Sequence, residues 1–213
     1  MTWYADEIIL RASDAALESV AASPQLAPFA YHIRSLAGHG WHREELRHGL
    51  PDGGLLVIHP VCGRSSHWSD WHGTEVLDWT ELPFGSAAEE LLDTEVTQCL
   101  SEHLDDESVP PLALRKAVAT LAAGLGQPVF YYGCCMWGGD IEHEYSLVYE
   151  PEESLVLTNT IPRIVEPPID ALRAGLYSIG LELPTGYFAP HTRSFPWHAH
   201  KLRAIPFTSS RLE

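Results

Sequence analysis

The chain has 213 residues, with 13 Lys and Arg against 29 Asp and Glu, a formal net charge of −16 with His neutral. Its 45% hydrophobic and 10% aromatic content is too apolar for a disordered chain, and its length suits one ordinary core. The acidic balance argues against direct nucleic-acid or anionic-membrane binding, since Lys and Arg must displace counterions there, and favours basic partners.

The first element is a short strand over 6–11, rich in Ile and Leu. Ser13 then caps a helix reaching Ala22, with Ala16, Leu17 and Val20 on one face. Pro24 and Pro28 break that pattern, and the His-rich stretch 31–50 carries no periodic signal and stays unassigned. Gly53-Gly54 precede the apolar run 55–58, which reads as a buried strand. Residues 62–73 read as a polar and aromatic loop, and 75–79 as a strand. Ser86 and Glu89 form a capping box that opens a helix running to about Leu104, followed by an exposed Asp105-Asp106-Glu107 loop. Pro110-Pro111 open another helix, with Leu114, Val118, Leu121 and Leu125 in a stripe and Gly124 and Gly126 at its end.

Strands over 129–132, 142–149 and 155–158, with Gly138-Gly139-Asp140 as a turn, form an antiparallel meander. A last helix starts near Pro168 and carries Ile169, Leu172, Leu176 and Ile179, and a Pro-, His- and aromatic-rich irregular tail begins at about Pro184. The expected architecture is therefore a single α+β domain, an antiparallel β-meander packed against several helices. The first residues lack the basic region of a secretory signal, and no run approaches the roughly 18 apolar residues of a membrane span. Cys62, Cys99, Cys134 and Cys135 contain no CxxC, and adjacent Cys134 and Cys135 would point to opposite strand faces. A reduced, cytoplasmic protein is the simplest expectation.

The charge is concentrated. Residues 1–64 and 163–213 together are neutral, whereas 65–162 hold 18 acids and only Arg115 and Lys116 as Lys or Arg. Within that segment Glu142 and Glu144 are expected on one strand face, about 7 Å apart at a rise of about 3.4 Å per residue, opposite His143, Tyr145, Leu147 and Tyr149. With Asp140 they make the first candidate patch for partner recognition, and Glu102, Asp105, Asp106 and Glu107 make the second.

Catalytic alternatives are weaker. His67, Asp70 and His72 place three metal-capable side chains in one loop, with His198 and His200 near the C-terminus, which would suit a metal-dependent hydrolase. Zinc-protease spacing and Cys–His zinc spacing are both missing, so neither a cofactor nor a functional metal is expected. Cys134 or Cys135 with His143 across the hairpin offers a nucleophile–base pair in principle, but both cysteines lie in an aromatic strand, where free Cys usually packs as a small hydrophobe. Nucleotide-binding glycine motifs and the hydrolase nucleophile elbow do not occur.

The stretch Tyr131-Tyr132-Gly133-Cys134-Cys135-Met136-Trp137-Gly138-Gly139-Asp140-Ile141-Glu142-His143-Glu144-Tyr145-Ser146-Leu147-Val148-Tyr149 resembles bacterial polymorphic-toxin immunity proteins, several families of which carry an aromatic strand, a Trp- or Phe-Gly-Gly turn, an acidic or amide residue and a returning apolar strand. The resemblance implies an intracellular, non-enzymatic inhibitor whose acidic surface meets a basic cognate toxin. Trp137 and Tyr145 would then supply apolar anchors beside the carboxylates. The alternative outside the toxin setting is an acidic protein-interaction module with another basic partner.

Overall fold

The strands follow from runs of β-branched, aromatic and aliphatic residues that alternate across two buried faces. A computed structural model describes residues 3–36, 50–59, 110, 112–137, 140–151, 155–159, 171–183, 188–191 and 195–203. Strands β1 (Trp3–Arg11), β2 (Ala30–Ile33), β3 (Leu55–Ile58), β4 (Val129–Trp137), β5 (Asp140–Tyr149) and β6 (Leu155–Asn159) form a six-stranded sheet in the order β2-β3-β1-β4-β5-β6. Every pairing is antiparallel. The expected meander is present as β4-β5-β6, with β1 inserted between β3 and β4.

Helix α1 (Asp14–Ala22) begins where Ser13 Oγ accepts from Ala16 N at 3.2 Å, as the sequence predicts. Ser13→Ala should lower stability by about 1 kcal/mol in urea denaturation, with an unchanged midpoint counting against a capping role. Helix α2 (Leu112–Leu125) ends at Gly126, whose φ of 61° lets Gln127 N reach Ala122 O at 3.4 Å. Helix α3 (Ala171–Ser178) lies within the predicted last helix, and a short α4 (Trp197–His200) follows. The predicted strand at 75–79 and capping-box helix at 86–104 lie outside the described residues.

Both faces of the sheet are covered. On one side Ile8, Leu10, Leu56, Tyr131, Tyr145 and Leu147 pack with Ala16 and Val20 of α1 and Leu114 and Val118 of α2. On the other, Ile9, Val57, Phe130, Tyr132 and Val148 pack with Leu172 and Leu176 of α3 and with Phe188, Phe195 and Trp197. This double coverage explains why β3 reads as a continuous apolar run and is buried throughout.

The stretch left without assignment, 31–50, begins inside β2. Tyr31, His32 and Ile33 pair with Val57, Leu56 and Leu55 of β3, and His32 Nε2 lies 2.8 Å from Gly53 O. The turn before β3 needs glycine at 54: its φ is 90°, and a Cβ there would collide with Ile33 O. The C-terminal region, expected as an irregular tail, is drawn onto the sheet by its aromatic residues. Leu202 N donates to Ala30 O at 2.8 Å, Tyr31 bridges Lys201, and Trp197 is among the largest fully buried side chains. Among the described residues, no helix is long and apolar enough to cross a membrane.

Candidate functional site

The β4–β5 hairpin carries most of the described part of the candidate surface. Trp137 pairs with Asp140 in backbone register, so Asp140 opens β5 rather than sitting in the turn. The register then shifts: Cys135 faces His143 while Met136 faces Ile141, which leaves Glu142 as an extra residue on β5. Such a bulge breaks the two-residue alternation on which a shared Glu142–Glu144 face depends.

The two glutamates consequently part. Glu142 is exposed, and its Oε2 accepts from Cys135 Sγ at 3.2 Å. Its neighbour Ile141 is 47% exposed, so an apolar and an anionic residue, adjacent in sequence, are both exposed near the turn end of the hairpin. Glu144 is buried, at 4% exposure, where its Oε1 accepts from Tyr132 OH at 2.9 Å and from Leu172 N at 3.2 Å. The expectation that Glu142 and Glu144 form one anionic strand face is therefore corrected: α3 covers the Glu144 side, and the bulge moves Glu142 out of register with it.

The expected apolar side of β5 is present, with Tyr145, Leu147 and Tyr149 all in the core. Tyr145 lies so close over Gly133 that a Cβ there would meet its ring, which fixes this tyrosine inside rather than at a partner-facing surface. It is therefore not available as the interfacial anchor expected from the sequence. Glu102, Asp105, Asp106 and Glu107 lie outside the described residues, as do His67, Asp70 and His72. Of the two C-terminal histidines, His198 is exposed and His200 stacks on Phe195 at 5.0 Å. Among the described residues, no group of three His, Cys, Asp or Glu is placed to hold a metal ion.

Cys134 and Cys135 are both buried thiols outside any disulfide. Burial pushes the Cys134 thiol far above its ordinary range, the opposite of what a thiolate nucleophile needs. Tyr132, two residues earlier on β4, is likewise driven up by burial and by Cys134 and Glu144 beside it.

A second polar group, which no local sequence pattern marks, lies on the same face of the sheet, beside Tyr132. Glu7 on β1 is fully buried, and its Oε2 is 2.8 Å from His191 Nε2. Its Oε1 is 3.9 Å from His59 Nδ1, immediately after β3. Tyr132 stacks on His191 at 5.4 Å, and Trp197 packs edge-on against His59 at 4.3 Å. Burial alone would raise the Glu7 carboxyl, but the two imidazoles outweigh it and hold the group below its usual range. For His59 burial dominates and lowers the imidazole to about 4, against the pull of Glu7. The signal in the sequence was a single acid in register with Ala5 and Ile9 on an otherwise apolar strand face. Its partners lie 52 and 184 residues away, beyond any local pattern.

This arrangement has the internal pairing of a structural polar network: the carboxylate is held, the thiol is protonated, and Tyr132 is tied to Glu144. The hairpin end, in contrast, offers exposed groups of two kinds to another molecule. No family model matches the chain, and neither a curated protein nor a solved structure matches it.

Proposed function

We propose that the protein binds and neutralises a basic protein toxin in the cytoplasm, without catalysis of its own, through the turn end of the β4–β5 hairpin. The observation that carries this reading is the pairing of exposed Ile141 with exposed Glu142 inside the segment that holds the whole acidic excess. An exposed aliphatic side chain gains by desolvation against a partner, while carboxylates around it speed the encounter and reject acidic competitors. Asp140, in the same strand, adds a further carboxylate to the hairpin sequence.

The resemblance of residues 131–149 to immunity proteins supports the toxin setting, and the charge of residues 65–162 supports a cationic partner. With Glu144 committed inside the core, the binding residues reduce to Asp140, Ile141 and Glu142, with Trp137 beside them in register.

The test first asks whether a toxin gene lies immediately upstream, and uses its product as the binding partner; a genomic neighbourhood without one counts against the toxin setting. Replacing Asp140 and Glu142 with Lys should slow association by about tenfold or more at low salt and weaken protection of cells, while Ile141→Ser should mainly speed dissociation. Folding of each variant is checked by circular dichroism. Unaltered association and protection in the doubly reversed protein would reject the hairpin as the binding face. Glu144→Lys is unsuitable for this purpose, because it would bury an unpaired charge.

A further inference from the structure

The β4–β5 ribbon leaves the core toward its turn end. Along β5 every residue from Glu144 to Tyr149 is buried, His143 is half-buried, and Glu142 and Ile141 are exposed. Along β4 every residue from Val129 to Cys135 is buried and Met136 is half-buried. The covering on both faces therefore ends at the same level, next to the bulge that inserts Glu142.

The register assigns these side chains to faces. Residues directly opposite each other in an antiparallel pair share a face, and consecutive residues of an unbroken strand alternate. Cys135 opposes His143, so both lie on the side of Tyr131 and Tyr145, and His143 stacks on Tyr145 with ring centroids 6.2 Å apart. Met136 opposes Ile141, so both lie on the other side, with Cys134 and Glu144. Without the bulge Glu142 would follow Glu144 onto that side. With it, the carboxylate reaches the Cys135 thiol at 3.2 Å. Ile141 and Glu142 are thus neighbours in sequence that leave the ribbon from opposite faces.

We propose that this end of the hairpin is a two-faced plug, which enters a cleft of its partner between a cationic wall that meets Glu142 and an apolar wall that meets Ile141 and Met136. The inference rests on the reading that a basic protein binds the hairpin, and adds the form of the surface that protein presents. Side chains stand roughly perpendicular to a sheet, so a flat surface lies against one of the two exposed residues and not the other. A partner that desolvates the aliphatic side chain and also pairs the carboxylate has to close around the ribbon. One β layer takes up about 10 Å, which sets the least width of the cleft. Charge complementarity decides which wall is which, since the carboxylate is on the Cys135 side and the exposed aliphatic side chain on the Glu144 side.

The test uses the complex with the product of a toxin gene lying immediately upstream. Glu142→Gln and Ile141→Ser should each raise Kd about tenfold. The double variant should raise it about a hundredfold, because groups on opposite walls share no partner atoms and their effects multiply. Glu142→Gln should flatten the salt dependence of Kd, and Ile141→Ser should leave it unchanged. A benzoylphenylalanine photocrosslinker placed at 141 or at 142 should join two different partner segments, an aliphatic one from 141 and one bearing Lys or Arg from 142. Both positions are exposed, and circular dichroism of each free variant checks its folding. Cross-links from one position only, cross-links from both to the same segment, or a double variant no weaker than the worse single one would overturn the plug while leaving the hairpin as the binding face. A complex that cross-links from neither position, or a chain with no toxin gene upstream, would remove the binding reading and the plug with it.

Discussion

Acidification from pH 6.5 to about pH 4 is expected to lower the free energy of unfolding by about 3 kcal/mol through His59 alone. The sign follows from proton counting. His59 has an ordinary value of 6.5 and is lowered to about 4 in the folded protein, so the unfolded chain binds more protons throughout that window. Stability that is fully present above pH 6.5 is lost as the pH falls toward 4. Glu7 acts in the same direction: its folded value lies below 4.5, so its contribution is present above 4.5 and is lost on further acidification. Urea denaturation at a series of pH values measures the slope. In His59→Phe the part of the slope between pH 6.5 and pH 4 should vanish, because the remaining ring does not titrate. A folded His59→Phe protein with the same slope as the parent would show that other groups cause it.

The second large effect is expected at Trp197. Trp197→Ala should cost about 4 kcal/mol, since the indole is 1% exposed and its removal leaves a cavity among Tyr31, His59 and Phe195. Trp197→Phe should cost far less, about 1–2 kcal/mol, because the indole N–H makes no hydrogen bond among the described residues and a smaller aromatic ring keeps part of the packing. Denaturation midpoints with unchanged slopes would establish this order. If alanine were tolerated within about 0.5 kcal/mol, as a surface change is, the C-terminal segment could not be part of the core. The comparison also separates packing from the proton-dependent contact at Glu7, which neither substitution touches directly.

What the sequence conveyed depended on the range of the interactions involved. The Ser13 cap, the α2 stripe ending at Gly126 and the β4-β5-β6 meander rest on spacings of a few residues, and all three appear in the structure. β2 was obscured because Tyr31 and His32 look polar in isolation, although the β3 partners and Gly53 O give them a defined place. The C-terminal aromatics had no period because they pack singly onto a face built elsewhere. For the candidate site, Glu142 was identified as a surface acid, whereas Glu144 was misplaced by one assumption: unbroken alternation along β5. A single extra residue between Ile141 and His143 defeats that assumption, and α3 gives the Glu144 side something to pack on. Glu7 escaped notice since its meaning lies in two distant histidines, not in its neighbours.

The placement of β1 has a consequence for how the chain is made. This strand is synthesised first, yet it lies in the interior of the sheet, and its pairing with β4 joins Trp3 to Met136 and Leu10 to Val129. When the β3 segment leaves the ribosome, β1 can pair along one side only. Its other edge stays an open template until β4 has been translated. Pairings so distant in sequence close slowly, which makes the nascent protein most vulnerable to wrong strand pairing during that interval. Slowing translation after the β3 codons would lengthen the exposure, whereas the finished fold, with both edges of β1 paired, retains none of it.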